Sequence, residues 1–410
     1  MIKQKLFKLW IEYFRSLPLR RFQRLIPLFL VVCMATPSVA AVIDVRTYGA
    51  IPNDSIDDSL AIQKAIDAAP DHSTIYFPQG TYLLAGVQIN NRIGLTLSGD
   101  GSTLTILKRH GNYPNILSST GSTDMLVTQL GFDANGIDAF GGFIFYDAKR
   151  VTITKNRFFD SNKQPLPGHG DRYAWVFGRG GTPSEDLLIN DNLIEDLQLE
   201  VDFGLRVRIE GNTVIRPVAA AGIGVFTIGD YTTAEDYVIE GNTVIDAVVG
   251  AGAITFILDP PSNNNSTFRK FRVLNNRIVY TTSLAGNPNE AILFGTGNSN
   301  QPTTGNLFDD IIIQNNTIEK ADSPFQFMGP VIFGNSYYIS NFKFDNTQVI
   351  NNRLFCNTGC DEKFIDIREQ GANYVESGNV MGPLIVTAFP NPPKGGKKSE
   401  SSGKSNKPSK

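Results

Sequence analysis

A loop near the middle of the chain carries three side chains that could act on a bound ligand. His169 lies between Gly168 and Gly170 and is followed by Asp171 and Arg172. The two glycines let the backbone approach a ligand closely. A histidine, a carboxylate and a guanidinium in one loop can supply a base, an acid and a partner for a substrate carboxylate.

Arginines in the same region could bind an acidic sugar. Guanidinium groups pair with carboxylates through two hydrogen bonds, so we expect substrate carboxylates to contact Arg172, Arg179, Arg206 and Arg208. Once a uronate carboxylate is neutralised, its C5 proton becomes acidic and a basic side chain can remove it. This is lyase or epimerase chemistry, and we predict His169 or Arg206 as the base.

Carboxylates in this region could bind Ca²⁺, which takes oxygen ligands. The predicted ligands are Asp171, Glu200 and Asp202. The segment QLEVDFGLRVRIEGN, however, alternates acids with arginines. Cross-strand ion pairs on a solvated strand face are therefore an alternative interpretation of the same residues.

Aromatic residues recur in the predicted strands, and sugars stack on aromatic faces. Tyr173 and Trp175 follow the glycine-flanked histidine directly and are the predicted sugar-stacking residues. The alternative is that many of these aromatic side chains fill the interior of the fold. Candidates for either role include Phe143, Phe145, Tyr146 and Tyr280.

The charge distribution limits the choice of partner. The 410 residues contain 37 Lys and Arg against 40 Asp and Glu, but both ends are basic, and residues 41–393 alone carry a net charge of −14. A body this acidic argues against nucleic-acid binding through a general basic surface. An acidic polysaccharide would require a locally basic cleft or a bridging cation.

The two ends differ in composition from the body. Seven basic residues precede the apolar run from Leu25 to Met34, and small residues follow near Ala40. This pattern predicts a secretory signal over residues 1–41 and a secreted protein with no membrane span after cleavage, with an uncleaved anchor as the alternative. Residues 391–410 are rich in Gly, Ser and Lys and predict a disordered basic tail.

Two cysteines remain once the predicted signal is removed. Cys356 and Cys360 lie in the segment CNTGC. An even count in an exported chain favours a short-loop disulfide, with two free thiols as the alternative.

The elements that must position these residues form a repeat. An alternating apolar run, an Asn and a second alternating run recur, with the asparagines at Asn156, Asn192, Asn212, Asn242, Asn276, Asn316, Asn352 and Asn379. Each unit is too small to bury its own apolar face, but stacked units can bury it. We expect the asparagines at the corners, in a left-handed conformation, with their amides hydrogen-bonded from coil to coil.

The pattern therefore predicts an all-β protein, a single-stranded right-handed parallel β-helix over residues 42–390. A β-sandwich is the alternative, but it does not require the recurrent Asn. An open first coil would expose unpaired strand edges. The one clear helical pattern, over residues 57–69, is well placed to cap that coil.

The segment from Val45 to Leu107 resembles the N-terminal module of the pectate lyase superfamily that includes rhamnogalacturonase- and epimerase-like proteins. The matching motifs are Tyr48-Gly49-Ala50, Asp57-Asp58, Ile75-Tyr76-Phe77-Pro78, Gly80-Thr81-Tyr82 and Leu97-Ser98-Gly99-Asp100-Gly101. The resemblance implies a pectin-lyase-like β-helix with a carbohydrate polymer as partner. It does not fix the reaction, because one fold hosts many activities.

Gly168-His169-Gly170 also resembles the Gly-His-Gly motif of polygalacturonase-type hydrolases. The Arg-Ile-Lys of that family reads Arg206-Val207-Arg208 here, and no Asp-Asp pair lies in the coil that precedes the histidine. Inverting hydrolysis requires two carboxylic groups on either side of the scissile bond.

Three functional hypotheses follow for an exported protein that acts on an extracellular, uronate-containing polysaccharide. Lyase- or epimerase-type C5 proton abstraction is favoured, with Ca²⁺ as its candidate cofactor. A polygalacturonase-like glycoside hydrolase is the alternative, and a non-catalytic glycan-binding surface protein is the third. The oligomeric state is not predicted.

Overall fold

The computed structural model describes residues 40–383, except positions 112, 114, 137–141, 163–172, 178–181, 203, 218–220, 229–232, 248–251, 260–266, 282–289, 297–303, 322–330, 333–340, 358–363 and 366–370. Side chains within some flanking strands are also outside the description. The predicted leader up to residue 39 and the predicted tail over 391–410 lie outside these residues.

The described strands form three sheets in which every pairing is parallel. Sheet A has twelve strands: Val42–Asp44, Thr74–Phe77, Thr96–Gly99, Leu126–Thr128, Lys149–Thr154, Ser184–Asn190, Gly204–Glu210, Thr233–Glu240, Thr267–Leu274, Thr304–Gln314, Asn341–Ile350 and Val375–Ser377.

Sheet B has eleven strands: Gly80–Leu84, Thr105–Arg109, Gly131–Asp133, Arg157–Phe159, Leu193–Glu195, Thr213–Ile215, Thr243–Ile245, Arg277–Tyr280, Thr317–Lys320, Arg353–Cys356 and Val380–Gly382. Sheet C has eight strands: Val87–Asn90, Leu117–Thr120, Phe143–Tyr146, Tyr173–Phe177, Gln198–Asp202, Ala221–Ile228, Gly252–Asp259 and Glu290–Thr296.

From Thr74 to Thr296 the chain visits sheet A, then B, then C, and returns to sheet A one strand further along. Such a path makes one coil per circuit. The predicted right-handed parallel β-helix is confirmed, and the β-sandwich alternative is wrong because the strands within each sheet are parallel and successive strands along this path belong to different sheets.

The interior of the coils is apolar because every second residue of each strand faces it. Val151 and Ile153 in sheet A and Phe143 and Phe145 in sheet C are at most 1% exposed. Aromatic rings stack from coil to coil, as between Phe132 and Phe158, whose ring centroids are 4.8 Å apart. The interpretation of the aromatic residues as core is confirmed for Phe143, Phe145 and Tyr280.

The asparagines form a single file between sheets A and B. In each step the side-chain amide of one Asn donates to Oδ1 of the Asn in the next coil, from Asn156 through Asn379, at 2.9–3.2 Å. The backbone amide of each Asn donates to the same oxygen. The predicted ladder of corner amides is therefore confirmed.

The left-handed conformation at this corner belongs to the residue before each Asn, which corrects the expectation that the Asn itself adopts it. Asp191, Gly211, Gly241 and Asn275 have φ between +55° and +64°. Gly, Asn and Asp tolerate this region best. The preceding residue makes the turn, which directs the Asn side chain inward to the ladder.

The predicted capping helix is helix α1, Ser59–Ala68, and it covers the first coil with Ile62, Ala65 and Ile66. Its C-terminal carbonyls are satisfied by Arg92, which donates to the carbonyl oxygen of Ile66 at 2.6 Å and to that of Ala69. Helix ends leave such carbonyls unpaired unless a side chain or water reaches them.

Side chains around helix α1 also close the exposed strand edges of the first coil. The Gln63 amide donates to the carbonyl of Gln88 and accepts from its N–H, both at 2.9 Å, as a neighbouring strand would. The carboxylate of Asp58 accepts the N–H of Leu83 at 3.1 Å in sheet B. An edge paired in this way cannot recruit a second chain.

We predict that Asn242→Ala lowers the free energy of unfolding by about 3 kcal/mol or more. The substitution removes one bond to Ile209 and one to Asn276. It also leaves the backbone N–H and one side-chain N–H of Asn212 without an acceptor, while the side-chain amide keeps its bond to Ile189, at about 1–3 kcal/mol for each unsatisfied group. Urea unfolding followed by circular dichroism measures the change.

The matched control is Asn90→Ala, because Asn90 is an exposed asparagine of sheet C. We expect a change within about 0.5 kcal/mol, as for most surface positions. Equal effects of the two substitutions would contradict a stabilising ladder.

Gln63→Leu should expose the edge of sheet C while keeping helix propensity. We expect faster amide hydrogen exchange at Gln88, because its N–H loses its acceptor, and a stability loss of about 1–2 kcal/mol. Lys64→Leu, the same replacement at the exposed neighbouring position, should leave exchange at Gln88 unchanged. Similar exchange in both variants would rule out edge closure by Gln63.

Candidate active site

The strand Gln198–Asp202 of sheet C presents carboxylates on its outer face. Leu199 and Val201 belong to the apolar core, so the alternating residues Gln198, Glu200 and Asp202 face away from it. Glu200 is 4% and Asp202 is 7% exposed. Only a small part of each carboxylate can be reached from solvent.

Gln198 holds Glu200 in place. The backbone N–H of Ala221 donates to Oε1 of Gln198 at 2.8 Å, and the Gln198 side-chain amide donates to Oε2 of Glu200. The bond from Ala221 fixes which end of the amide faces the carboxylate. A donor aimed at a carboxylate favours its ionised form.

The neighbouring strand adds an aromatic ring beside Glu200. Glu200 pairs with Gly224, and Asp202 pairs with Phe226. A Cβ at Gly224 would lie 2.2 Å from a ring carbon of Phe226 and 3.2 Å from Nε2 of Gln198. Gly224 is therefore required for the ring of Phe226 to lie across this strand.

Tyr146 lies on the same face of sheet C, two strands before Asp202. Burial, and to a lesser degree the charge of Asp202, raises the pKa of the Tyr146 phenol. A tyrosine with a raised pKa stays protonated at neutral pH, so it can donate a hydrogen bond to a ligand but is a poor base. Thr255, which pairs with Gly224, adds a buried hydroxyl. We call Tyr146, Gln198, Glu200, Asp202, Phe226 and Thr255 the carboxylate site.

Several predicted site residues lie outside the described residues: His169, Asp171, Arg172 and Arg179. Their predicted roles therefore stay predictions. Tyr173 and Trp175 lie on a described strand of sheet C, and the backbone of Trp175 pairs with Phe143 and Leu199. Nothing in the described structure tests their predicted contact with a sugar.

Arg206 and Arg208 lie on sheet A, on the strand Gly204–Glu210, and not with Glu200 and Asp202 on sheet C. Arg206 donates to Oδ1 of Asp186 at 2.5 Å and to Oε2 of Glu185 at 2.7 Å. Hydrogen bonds to these two carboxylates raise the pKa of the Arg206 guanidinium above its usual range. A guanidinium must lose a proton before it can act as a base, and these contacts oppose that loss, so they are those of a structural ion pair.

Many of the ion pairs of sheet A involve residues at one equivalent position in successive strands, a column in which the backbone is left-handed. The register sets Arg150 beside Asp186, and Asp186 beside Arg206, in successive coils. The column continues with alternating charge through Asp124, Arg150, Asp186, Arg206, Asp236, Lys270 and Asp310, all with φ between +53° and +63°. The interpretation of the arginine-rich segment as a cross-strand ion-pair face fits this arrangement.

The predicted calcium ligands Glu200 and Asp202 are neighbours on one face of one strand. The third predicted ligand, Asp171, lies outside the description. Among the described residues, no group of three or more His, Cys, Asp or Glu side chains is arranged to hold a metal ion.

Cys356 forms a disulfide. Its predicted partner, Cys360, lies outside the described residues.

Sequence reasoning missed Gln198, Tyr146 and Phe226 as members of one site. The signal was the alternation of QLEVD, in which polar residues occupy every second position of a strand that is otherwise apolar. The same alternation in AGIGVFTI places Gly224 and Phe226 on the outer face.

Comparison with known proteins identifies the module that builds these coils. Residues 42–195 match the family model described as rhamnogalacturonase A/epimerase, pectate lyase-like. The match covers the capping helix and the coils up to the strand before Gln198. No curated protein matches the sequence.

Several solved structures are similar to this chain but share little sequence with it. The Streptococcus pneumoniae surface protein and adhesin PfbA is 15% identical with a TM-score of 0.48, covering 84% of this chain and 98% of that chain. An alginate lyase from Paenibacillus is 13% identical with a TM-score of 0.45, covering 84% and 98%. The Yersinia enterocolitica family 28 exopolygalacturonase is 13% identical with a TM-score of 0.43, covering 85% and 78%.

Within the described part of the chain, no helix is both long and apolar enough to cross a membrane.

Arg206→Met tests whether Arg206 is structural or catalytic. Because Arg206 lowers the pKa values of Asp186 and Glu185, its pairs stabilise the fold above the ordinary carboxyl pKa. That contribution is lost as the pH falls through the lowered values. We expect a stability loss of at most about 1 kcal/mol at pH 7, which disappears in acid, and activity unchanged within about two-fold.

Arg208→Met is the matched control, since Arg208 contacts only Glu210, at 3.9 Å, among the ion pairs of the described residues. It should lose less stability than Arg206→Met. An activity loss of about 100-fold or more in Arg206→Met alone would instead support Arg206 as the base.

Proposed function

We propose that this protein is an exported glycoside hydrolase that cleaves an extracellular polysaccharide with Glu200 and Asp202. The observation that carries the proposal is that these two carboxylates lie side by side on the outer face of sheet C, in a chain whose residues 42–195 match a pectate lyase-like family model. Glycoside hydrolysis is the reaction that commonly uses two carboxyl groups, one on each side of the scissile bond.

The spacing of the two residues suits this chemistry. Positions i and i+2 of a strand have Cα atoms about 6.6 Å apart and side chains on the same face. Their carboxyl groups can therefore adopt the separation of about 6.5–9.5 Å at which inverting enzymes admit a water molecule. The donor from Gln198 supports Glu200 as the ionised base that activates this water. Asp202 then supplies the proton to the leaving oxygen, and the water adds to the anomeric carbon with inversion.

The phenol of Tyr146 and the ring of Phe226 give a sugar its other contacts. Tyr146 can donate to a sugar hydroxyl because it is protonated, and Phe226 offers a face for stacking. Both supports come from rigid strands, and groups on rigid elements hold their geometry better than groups on loops.

Lyase or epimerase chemistry has less support from the described residues. It requires a base that is unprotonated before it accepts the C5 proton. Arg206 is held as a cation by two carboxylates, and Tyr146 has a raised pKa. His169 stays the predicted base for that chemistry, and the products of the reaction distinguish the two mechanisms.

Glu200→Gln and Asp202→Asn should each reduce hydrolysis by about 1,000-fold or more, since each removes one of the two proton-transfer groups while preserving shape. The assay incubates the purified protein with a panel of polysaccharides and measures new reducing ends, together with ultraviolet absorbance from unsaturated ends. Polysaccharide binding should persist in both variants.

Glu210→Gln is the matched control, because Glu210 lies on the next strand of the chain, which belongs to sheet A and is outside the carboxylate site. It should retain full activity. Products with unsaturated ends would contradict hydrolysis and support a lyase mechanism instead. Binding without any product would indicate a glycan-binding protein, and full activity in Glu200→Gln would reject the assigned pair.

A further inference from the structure

The outer face of sheet C is open towards the N-terminal end of the β-helix and closed further along. In the first strand the outward residues Gln88 and Asn90 are exposed. In the seventh and eighth strands Thr255 is fully buried and Leu293 is 7% exposed. Both alternate with core residues and therefore lie on the outer face as well. The strand that carries Glu200 lies between these two regions.

The open region presents neutral polar groups in a row. Asn90 pairs with Thr120, and Thr120 pairs with Tyr146, in successive strands. The side chain of Asn90 accepts the backbone N–H of Thr120 at 3.2 Å. Amides and hydroxyls of this kind suit the hydroxyl groups of a sugar, which both donate and accept. A polymer that reaches the carboxylates from this side has polar groups along its path.

On the closed side, the ring of Phe226 lies directly beside the carboxylates. Gly224 pairs with Glu200 on one side and with Thr255 on the other. A Cβ at Gly224 would overlap a ring carbon of Phe226, so the ring occupies the space above Gly224. The ring therefore fills the outer face between Glu200 and Thr255, and with 8% exposure it is packed in this position.

The hydroxyl of Thr255 lies on the far side of this ring from Glu200. Its Oγ1 atom is buried and has no hydrogen-bond partner among the described residues. A buried hydroxyl without a partner costs about 1–3 kcal/mol, and the hydroxyl of a bound sugar would satisfy it. The ring of Phe226 thus separates a group suited to a sugar from the place where Glu200 and Asp202 act.

We propose that this protein cleaves its polysaccharide from a chain end, because the ring of Phe226 ends the binding path at the carboxylates. The proposal rests on the hydrolase function above and adds the mode of attack. The polymer lies along the exposed strands of sheet C, and its terminal part abuts the ring. An internal segment would have to continue through the space that the ring occupies.

The first arm of the test follows the products of the wild-type protein on the polysaccharide panel, which includes polygalacturonate, alginate and glucomannan. Viscosity and new reducing ends are measured together, and early products are sized by chromatography. We expect short products of one size and a viscosity that falls slowly as reducing ends accumulate. Rapid loss of viscosity with products of many lengths would overturn chain-end attack and leave the hydrolase function standing. Products with unsaturated ends, or no products at all, would overturn the function itself.

The second arm opens the closed side with Phe226→Ala, which lets internal segments cross the carboxylates towards Thr255. The share of cleavage at internal bonds should rise by about ten-fold or more, as expected when a group that limits the size of a pocket is removed. Phe159→Ala is the matched control, because Phe159 lies on sheet B beside Arg157. It should leave the product lengths unchanged.

Phe226→Leu is a second variant, should Phe226→Ala fold poorly, and it should shift the products in the same direction. Circular dichroism establishes which variants are folded. Product lengths that stay as in the wild type in a folded Phe226 variant would overturn the proposal, and so would an equal shift in Phe159→Ala.

Discussion

The fold depends on one repeated interaction, the pairing of a buried asparagine with the asparagine of the next coil. At each corner the backbone N–H and the side-chain amide both donate to one Oδ1, while the same side-chain amide also donates to the strand carbonyl of the preceding coil, as from Asn242 to Ile209 at 2.8 Å. All these groups are fully buried between Asn212 and Asn352, apart from 1% exposure at Asn276. A shift of one coil by a single residue would leave several polar groups unpaired.

This constraint fixes the register between coils. Residues at the same position of successive coils therefore lie side by side and form rows along the β-helix. Inside the coils the rows are apolar, as in the stacks of Tyr237 on Phe271 and Phe308 on Phe344. Outside, a row takes whatever chemistry the sequence supplies at one position of the repeat. On sheet A, one row alternates acidic and basic residues that form ion pairs. The eight strands of sheet C contain no Lys, Arg or His.

Features marked by a repeat or by a clear local pattern could be predicted from the sequence, whereas a site assembled from several strands could not. The corner asparagines and the capping helix follow from local patterns that repeat or stand alone clearly. Arg206 lies only four residues after Asp202, but the chain crosses from sheet C to sheet A between them. Nothing in the alternation of acids and arginines marks that crossing. The sequence therefore predicted one site from residues that lie on two different sheets.

The crossing itself explains why the carboxylate site can be rigid although it lies at the end of a strand. Gly204 begins the next strand, and its N–H donates to the phenol oxygen of Tyr237 at 2.8 Å. Burial raises the pKa of Tyr237, so the phenol stays neutral, and its ring stacks on Phe271 with centroids 5.0 Å apart. A Cβ at residue 204 would lie 2.6 Å from Val207 and 3.1 Å from that phenol oxygen. The chain can therefore turn here only with glycine, and the turn anchors the end of the strand that carries Glu200 and Asp202 to the aromatic core.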